Sequence, residues 1–414
     1  MVEYDLLAVS EKIIASGKIC DNCLGRQFAK LSTGLTNRER GRALRTVLQM
    51  AHDDREIDGT DEGDCWLCLG LFSDKELEKW ATKVEEALQN IECRTFLIGT
   101  HVSGLLSENE EILWSECEIK CAEPLKSELN REVGKIVASR TDLEVEFTRP
   151  DVLIILDLTR NAVELTINPV FVFGRYQKLV RGIPQTRWPC NQCRGRGCER
   201  CNFTGKLYAE SVEELIGEVA LQLFRAKGYV LHGAGREDID ARMLGTGRPF
   251  ILEIKSPAIR EVDLKLLEEG IDQQKVKLTG LRYVDGSKVA LVKSASAKKR
   301  YRVRLRVDGV PEDRLEAGVK ALSGATIEQK TPIRVLHRRK DTTRVRKVFE
   351  ASLSSIEDGC AVIEILGEAG LYVKELISGD EGRTRPSLAE YVGFDLSVEE
   401  LDVLEVEPIE GIEI

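Results

Sequence analysis

The sequence predicts an α+β protein of two or three domains, one of them built on a large mixed sheet. At 414 residues and 42% hydrophobic, the chain is longer than a single core usually organises. Apolar residues recur at helical spacing in some segments and alternate in others, so both element types are present. Eight of the twelve cysteines fall in C-x-x-C pairs, which in a reducing compartment signals metal-stapled lobes rather than disulfides.

Residues 3 to 18 carry a helical pattern that ends near Gly17, just before CDNC. The segment HDDREIDGTDEGD is acidic and polar and reads as a loop. DKELEKWATKVEEAL, from Asp74 to Leu88, is an amphipathic helix. A compact α+β module follows, with strands at RTFLIGT, DVLIILDL and NAVELTI and a helix at LKSELNREVGKIVASR. FGRYQKLVRGIPQTRW is basic and punctuated by Pro and Gly, so it reads as a connector that touches something charged. The second half opens on SVEELIGEVALQLFRAKG, where Ser211 and Glu214 form a capping box and Gly228 is the stop. Strands are expected at FILEIK, KVALVKS, KRYRVRLRV, CAVIEIL and GLYVKEL, assembled as one sheet. These signals place an N-terminal cysteine-bearing region at 1–70, the α+β module with its connector at 71–188, a second cysteine knuckle at 189–204 and a C-terminal domain at 205–414.

No apolar run is long enough to span a membrane, and acids interrupt the first residues where a signal peptide needs an apolar stretch. A cytoplasmic protein without a membrane partner is therefore expected. The net charge of −10 alone argues against nucleic acid. Its distribution argues the other way: between Lys298 and Lys347 there are sixteen Lys or Arg against six Asp or Glu, so this stretch is +10 and the rest is −20. In KKRYRVRLRV, Arg300, Arg302, Arg304 and Arg306 share one face of a strand, and Tyr301 points to the other. TPIRVLHRRKDTTRVRK adds a second basic stretch that includes Arg338 and Arg339. Together they make RNA or DNA the expected partner.

Cys20, Cys23, Cys65 and Cys68 form two knuckles with the spacing of a structural Zn²⁺ site. Cys190, Cys193, Cys198 and Cys201 form a second set, with Gly195 and Gly197 allowing a tight turn. Cys93, Cys117, Cys121 and Cys360 are expected as small buried apolar residues.

GREDIDARMLGTGRPF, residues 235 to 250, concentrates arginines, three acids and three glycines. A dinucleotide-binding loop fails here, because the third glycine of G-x-G-x-x-G falls on Asp238. Arg236 followed, one residue on, by Asp238 in a glycine-flanked turn resembles the pseudouridine synthases, whose nucleophile is an aspartate in a G-R-x-D context. The resemblance is closest to the archaeal-type tRNA pseudouridine synthases that modify T-loop uridines at tRNA positions 54 and 55. CDNCLGRQF, FGRYQKLVRGIPQTRW, GREDIDARMLGTGRPF, TPIRVLHRR and GLYVKELISGDEGRTRPSL carry it, nearly the whole chain.

That resemblance implies an N-terminal zinc-bearing accessory region with a THUMP module, an RNA-binding α+β unit, and a C-terminal catalytic domain with a mixed, largely antiparallel sheet. It maps the nucleophile to Asp238, the stacking tyrosine to Tyr301, the cation beside the aspartate to Lys374 and a pocket-lining residue to Leu376. Tyr372 of the same motif and Arg236 are implied substrate contacts. Asp240 shares a face with Asp238 and is taken as a supporting acceptor, and Arg242 and Arg248 as residues that fix the loop or meet phosphate. The implied activity isomerises uridine at position 55 and also 54 of tRNA, in a monomer with structural Zn²⁺ and no organic cofactor. The residue types leave open whether the carboxylate attacks sugar or base. THUMP modules also accompany methyltransferases and thiolation enzymes, but the cofactor loops these need are missing, and the presence of Asp238, Tyr301 and Lys374 together argues against a non-catalytic RNA binder.

Overall fold

The computed structural model describes residues 5–31, 33–52, 62–337 and 339–413, and divides into two compact units, Met1–Asn168 and Pro169–Ile414. Most of the acidic loop at 52–64, and Arg338, lie outside the described residues.

The first unit begins with α1 (Leu6–Ala15), α2 (Asp21–Gly25), α3 (Asn37–Ala51) and α4 (Asp74–Leu88). Thr36 caps α3 reciprocally with Glu39, satisfying donors that the first helical turn leaves free. Then come β1 (Thr95–His101), α5 (Gly104–Glu116), α6 (Leu125–Arg140), β2 (Glu144–Val145), β3 (Val152–Asp157) and β4 (Ala162–Ile167). The sheet order is β2-β1-β3-β4, with β1 parallel to β2 and β3, and β4 antiparallel to β3. α4 and α6 cover the expected residues. Their buried stripes, Leu77, Trp80, Ala81 and Val84 on α4 and Leu129, Val133 and Val137 on α6, join Phe96, Val152 and Ile154 in one core with the first four cysteines.

The second unit runs through β5 (Val170–Lys178), α7 (Val212–Leu223), β6 (Gly228–Gly233), β7 (Arg242–Lys255), α8 (Leu264–Gly270), β8 (Val276–Val284), α9 (Lys288–Ser294), β9 (Lys299–Arg306), α10 (Glu312–Leu322) and β10 (Thr326–Lys330). It closes with β11 (Thr343–Glu357), β12 (Cys360–Gly367), α11 (Val373–Ser378), β13 (Thr384–Arg385), α12 (Leu388–Val392) and β14 (Ser397–Val406). Ten strands form one sheet in the order β13-β10-β11-β12-β9-β14-β7-β5-β8, with β6 paired to β7. Only β14 and β7 run parallel, so the sheet is mixed and largely antiparallel.

Three expectations are corrected here. The division into compact units falls after Asn168, ahead of the boundary expected between 188 and 205: six of the connector's sixteen residues, Phe173 to Lys178, lie in β5, which hydrogen-bonds to β7 on one side and β8 on the other. KVALVKS forms α9 rather than a strand. GLYVKEL leads into α11, because Val373, Leu376 and Ile377 are buried at i, i+3 and i+4, a helical stripe that a short apolar run hides.

Candidate functional site

The eight paired cysteines gather into two sets of four, Cys20, Cys23, Cys65 and Cys68, and Cys190, Cys193, Cys198 and Cys201. In each set the four ligand atoms lie within 4.8 Å of one another. Cys20 and Cys68 sulfurs are 3.8 Å apart, Cys190 and Cys198 3.9 Å, and Cys193 and Cys201 3.8 Å. A tetrahedron with metal–sulfur bonds of about 2.3 Å has edges of about 3.8 Å, so both sets fit Zn²⁺, and these spacings are too long for a disulfide. In the second set the amides of Gly197 and Gly205 donate to the sulfurs of Cys193 and Cys201 at 3.2 and 3.3 Å, the pattern that steadies thiolates. Of the unpaired cysteines, Cys117 and Cys360 are buried as expected, but Cys93 and Cys121 are half-buried.

The second unit holds a cavity of about 810 Å³ whose wall includes Arg236, Asp238, Asp240, Tyr301, Arg334 and Lys374. Asp238 sits on the loop between β6 and β7, opened by Gly235 at φ +79°, a conformation that disfavours other residues. Charged and polar groups clamp that loop from below. Lys178, fully buried on β5, donates from Nζ to the carbonyls of Ile183, Asp238 and Ile239 at 3.0, 3.2 and 3.1 Å. Arg181 donates to the Asp240 carbonyl at 2.8 Å and is paired with Asp402 at 2.6 Å. Gln185 Nε2 donates to the Gly235 carbonyl at 3.0 Å. Thus the segment expected to link two domains instead cradles the Asp238 loop.

Beneath the loop, Glu237 and Arg248 form an ion pair with both side chains 1% exposed, Nε lying 2.8 Å from Oε2. Tyr176 donates to Glu237, and Arg248 NH1 donates to the Ala234 carbonyl at 2.6 Å. Arg248 is therefore a loop-fixing residue, as expected, whereas Arg242 pairs with Asp402.

The Asp238 carboxylate meets two cations: Arg334 NH1 donates to Oδ1 at 3.1 Å, and Lys374 Nζ lies 3.7 Å from Oδ2. Lys374 is nearer to Asp240, at 2.5 Å. Burial alone would raise the Asp240 pKa, but the Lys374 ammonium holds it below the ordinary value. Arg334 was not singled out from the sequence. It stands in TPIRVLHRR, 96 residues from Asp238, and is aimed by Glu375 of α11, which accepts from its Nε at 2.7 Å.

Tyr301 is 8% exposed and lines the cavity. Burial, with the charge of Asp238 and against that of Arg248, leaves its pKa pushed up to about 12, so the phenol stays neutral. Tyr372 accepts from Arg339 NH1 at 3.1 Å and Arg344 NH1 at 3.0 Å, and Arg236 donates to Thr186 Oγ1 at 2.8 Å at the cavity mouth. Leu376 does not line the cavity. It is fully buried in the core below, and Leu371 and Val373 form that wall.

The arginine row of β9 is also corrected. Arg300 pairs with Glu350 and Glu405, Arg302 with Glu364, and Arg304 and Arg306 with Glu399. Alternation places this row on the sheet face opposite Tyr301, where neighbouring strands supply carboxylates. The cavity wall carries instead Lys293, Lys299, Arg334, Arg339, Arg344 and Arg346, besides Arg236, Arg248 and Lys374.

Among these, Lys299 has its pKa lowered to about 8, because burial penalises the ammonium and Arg248 repels it, against attraction by Glu237. From about pH 8 to the ordinary 10.5 the unfolded chain keeps a proton that the folded chain has shed, so stability rises with pH across that window. Lys299→Met should therefore raise the melting temperature at neutral pH and lose most of that advantage by about pH 10, read from thermal melts at both values.

A carboxylate held on a clamped loop beside a nearly buried tyrosine, over a largely antiparallel sheet, is the arrangement that the resemblance to the pseudouridine synthases implies. The comparisons with known proteins narrow the class. The family described as "Pus10, C-terminal" matches residues 171–407, and "Pus10 THUMP domain, archaeal" matches 80–157. Proteins named tRNA pseudouridine synthase Pus10 match over nearly their full length. That of Methanothrix thermoacetophila is 45% identical, covering 98% of this chain and 95% of its own. That of Halorubrum lacusprofundi is 45% identical, with 97% and 96% covered, and that of Pyrococcus furiosus 39%, with 98% and 99%. The chain belongs to the Pus10 family of tRNA pseudouridine synthases.

Proposed function

We propose that the protein converts uridine to pseudouridine in the T-loop of tRNA, at position 55 and also at 54, with Asp238 as nucleophile. The observation that carries this reading is the placement of the Asp238 carboxylate between Arg334 and Lys374 on the wall that it shares with Tyr301.

The target uridine leaves its stack and enters the cavity, where its base stacks on Tyr301. Asp238 is about a third exposed before RNA binds, and the incoming nucleotide excludes that water. Desolvation would then favour the protonated acid, and the two cations offset it, keeping the carboxylate ionised and reactive. In the net change the bond from N1 to the sugar C1′ breaks and one from C5 to C1′ forms. A proton leaves C5 and one is gained at N1. Nothing is oxidised or reduced, so the chemistry needs no organic cofactor. Arg339, Arg344 and Arg346 line the cavity and face the flanking phosphates.

Both cysteine sets bind Zn²⁺ structurally, since four thiolates leave no open position for chemistry. The protein acts as a cytoplasmic monomer. No helix among the described residues is long and apolar enough to cross a membrane, and the thiolate sets need a reducing compartment. The test is to incubate the purified protein with an unmodified tRNA transcript and map pseudouridine by chemical adduct and primer extension. Stops at positions 54 and 55 are expected. Their absence, or stops confined to another arm, refutes the assignment.

A further inference from the structure

The second cysteine knuckle has features that holding a metal does not require. It hangs on a short stem: Pro189 bridges antiparallel to Lys206, the Cys190 amide donates to the Gly205 carbonyl at 2.8 Å, and the Leu207 amide donates to the Trp188 carbonyl at 3.0 Å. The foot of that stem is Trp188, packed edge-on against Tyr208 with ring centroids 5.8 Å apart, and Trp188 shares the cavity wall with Arg236 and Asp238. The knuckle is thus rooted at the rim of the site.

Its tip carries Arg194, Arg196 and Arg200, all exposed. Among the described residues none of the three pairs with a carboxylate, in contrast to the row on β9; Arg196 Nε donates to the Cys193 carbonyl at 3.3 Å, and Glu199 is the single acid between Cys190 and Gly205. Three residues after Arg200 stands Phe203, 74% exposed and outside every apolar cluster. Its backbone is left-handed, at φ +60°, directly after Asn202 at +50°. That conformation is unfavourable for a bulky residue, and glycine would adopt it freely. The knuckle fixes it through the Phe203 amide, which donates to the Cys198 carbonyl at 2.9 Å. A solvated hairpin explains the arginines but gives no reason to hold a large aromatic ring out in water.

We infer that the tip of this knuckle is an RNA-docking surface, on which Phe203 stacks an unpaired base while Arg194, Arg196 and Arg200 neutralise the adjoining phosphates beside the catalytic cavity. A flat ring among unpaired cations is what single-stranded or looped RNA recognises, since every base has a face to stack and a phosphate next to it. A protein partner would have to bring acids of its own to match three clustered arginines, whereas RNA carries a phosphate beside every base. This inference rests on the tRNA substrate proposed above and adds a contact outside the cavity.

The test measures binding of full-length protein to an unmodified tRNA transcript by fluorescence anisotropy over a range of salt concentrations. Phe203→Ala should weaken binding about tenfold with little change in salt dependence, and Phe203→Trp should restore it to within about twofold. R194Q/R196Q/R200Q should reduce the slope of log affinity against log salt by about two units. The ring is exposed, so the melting temperature and zinc content should match those of the unaltered protein in every variant. Wild-type affinity and slope in both Phe203→Ala and the triple variant overturn the inference and leave the substrate assignment standing. A loss that Phe203→Trp does not restore overturns the stacking contact, and unchanged RNA binding with an altered oligomeric state assigns the surface to protein. If the unaltered protein does not retain tRNA, the substrate assignment fails and this inference with it.

Discussion

Asp238→Asn is expected to slow pseudouridine formation by about a thousandfold or more while leaving tRNA affinity within about threefold. The substitution keeps the size of the side chain and removes the nucleophilic charge. Its neighbours give the control. Arg334→Gln removes the cation that donates to Oδ1 at 3.1 Å and should slow the reaction by about ten- to a hundredfold, with a smaller effect on affinity. Single-turnover assays with saturating enzyme separate chemistry from binding, and anisotropy reports affinity. Wild-type turnover by Asp238→Asn would remove Asp238 from the chemistry and make Asp240, 2.5 Å from Lys374, the next residue to test.

Arg248→Met is expected to have the largest effect on stability, a loss of about 3–5 kcal/mol, because it leaves Glu237 charged in a site where both partners are 1% exposed. Removing both charges together, in Arg248→Met with Glu237→Gln, should recover most of that loss, since the cost comes from the uncompensated charge rather than from the missing attraction. Tyr176 still donates to the amide oxygen of residue 237 in the double variant. The unfolding transition of the second unit, followed by denaturant titration, reads both values. A double variant as unstable as Arg248→Met alone would show that the loss lies in packing instead. Activity should fall in either variant even below the melting temperature, because Arg248 also holds the Ala234 carbonyl at the start of the Asp238 loop.

The parts of this protein that were legible in its sequence share a property: the signal lies within a few residues. α4 and α6 keep the predicted bounds because their apolar residues repeat at helical spacing, and both cysteine sets come together because short C-x-x-C turns aim two sulfurs at one point. Asp238, Tyr301 and Lys374 were identified by short motifs, and the cavity brings them together.

The misreadings involve partners far apart in the chain. GLYVKEL reads as a strand because seven residues do not separate a period of two from one of 3.6 when a core on one side decides the matter. The row from Arg300 to Arg306 reads as a phosphate ladder because nothing local marks Glu350, Glu364 and Glu399, carried on β11, β12 and β14, as its partners. FGRYQKLVRGIPQTRW looked like a linker, although Lys178 is separated from Asp238 by 60 residues and Arg181 from Asp402 by 221.

By itself, then, the sequence determined which groups could do the chemistry, where metal could be held, and the α+β class. The tertiary structure alone decided which cation meets Asp238, what grips its loop, and which basic surface is left unpaired. The physical reason is that a charge is defined by whatever lies within a few ångströms of it, and in this fold those neighbours come from strands and loops distant in the chain.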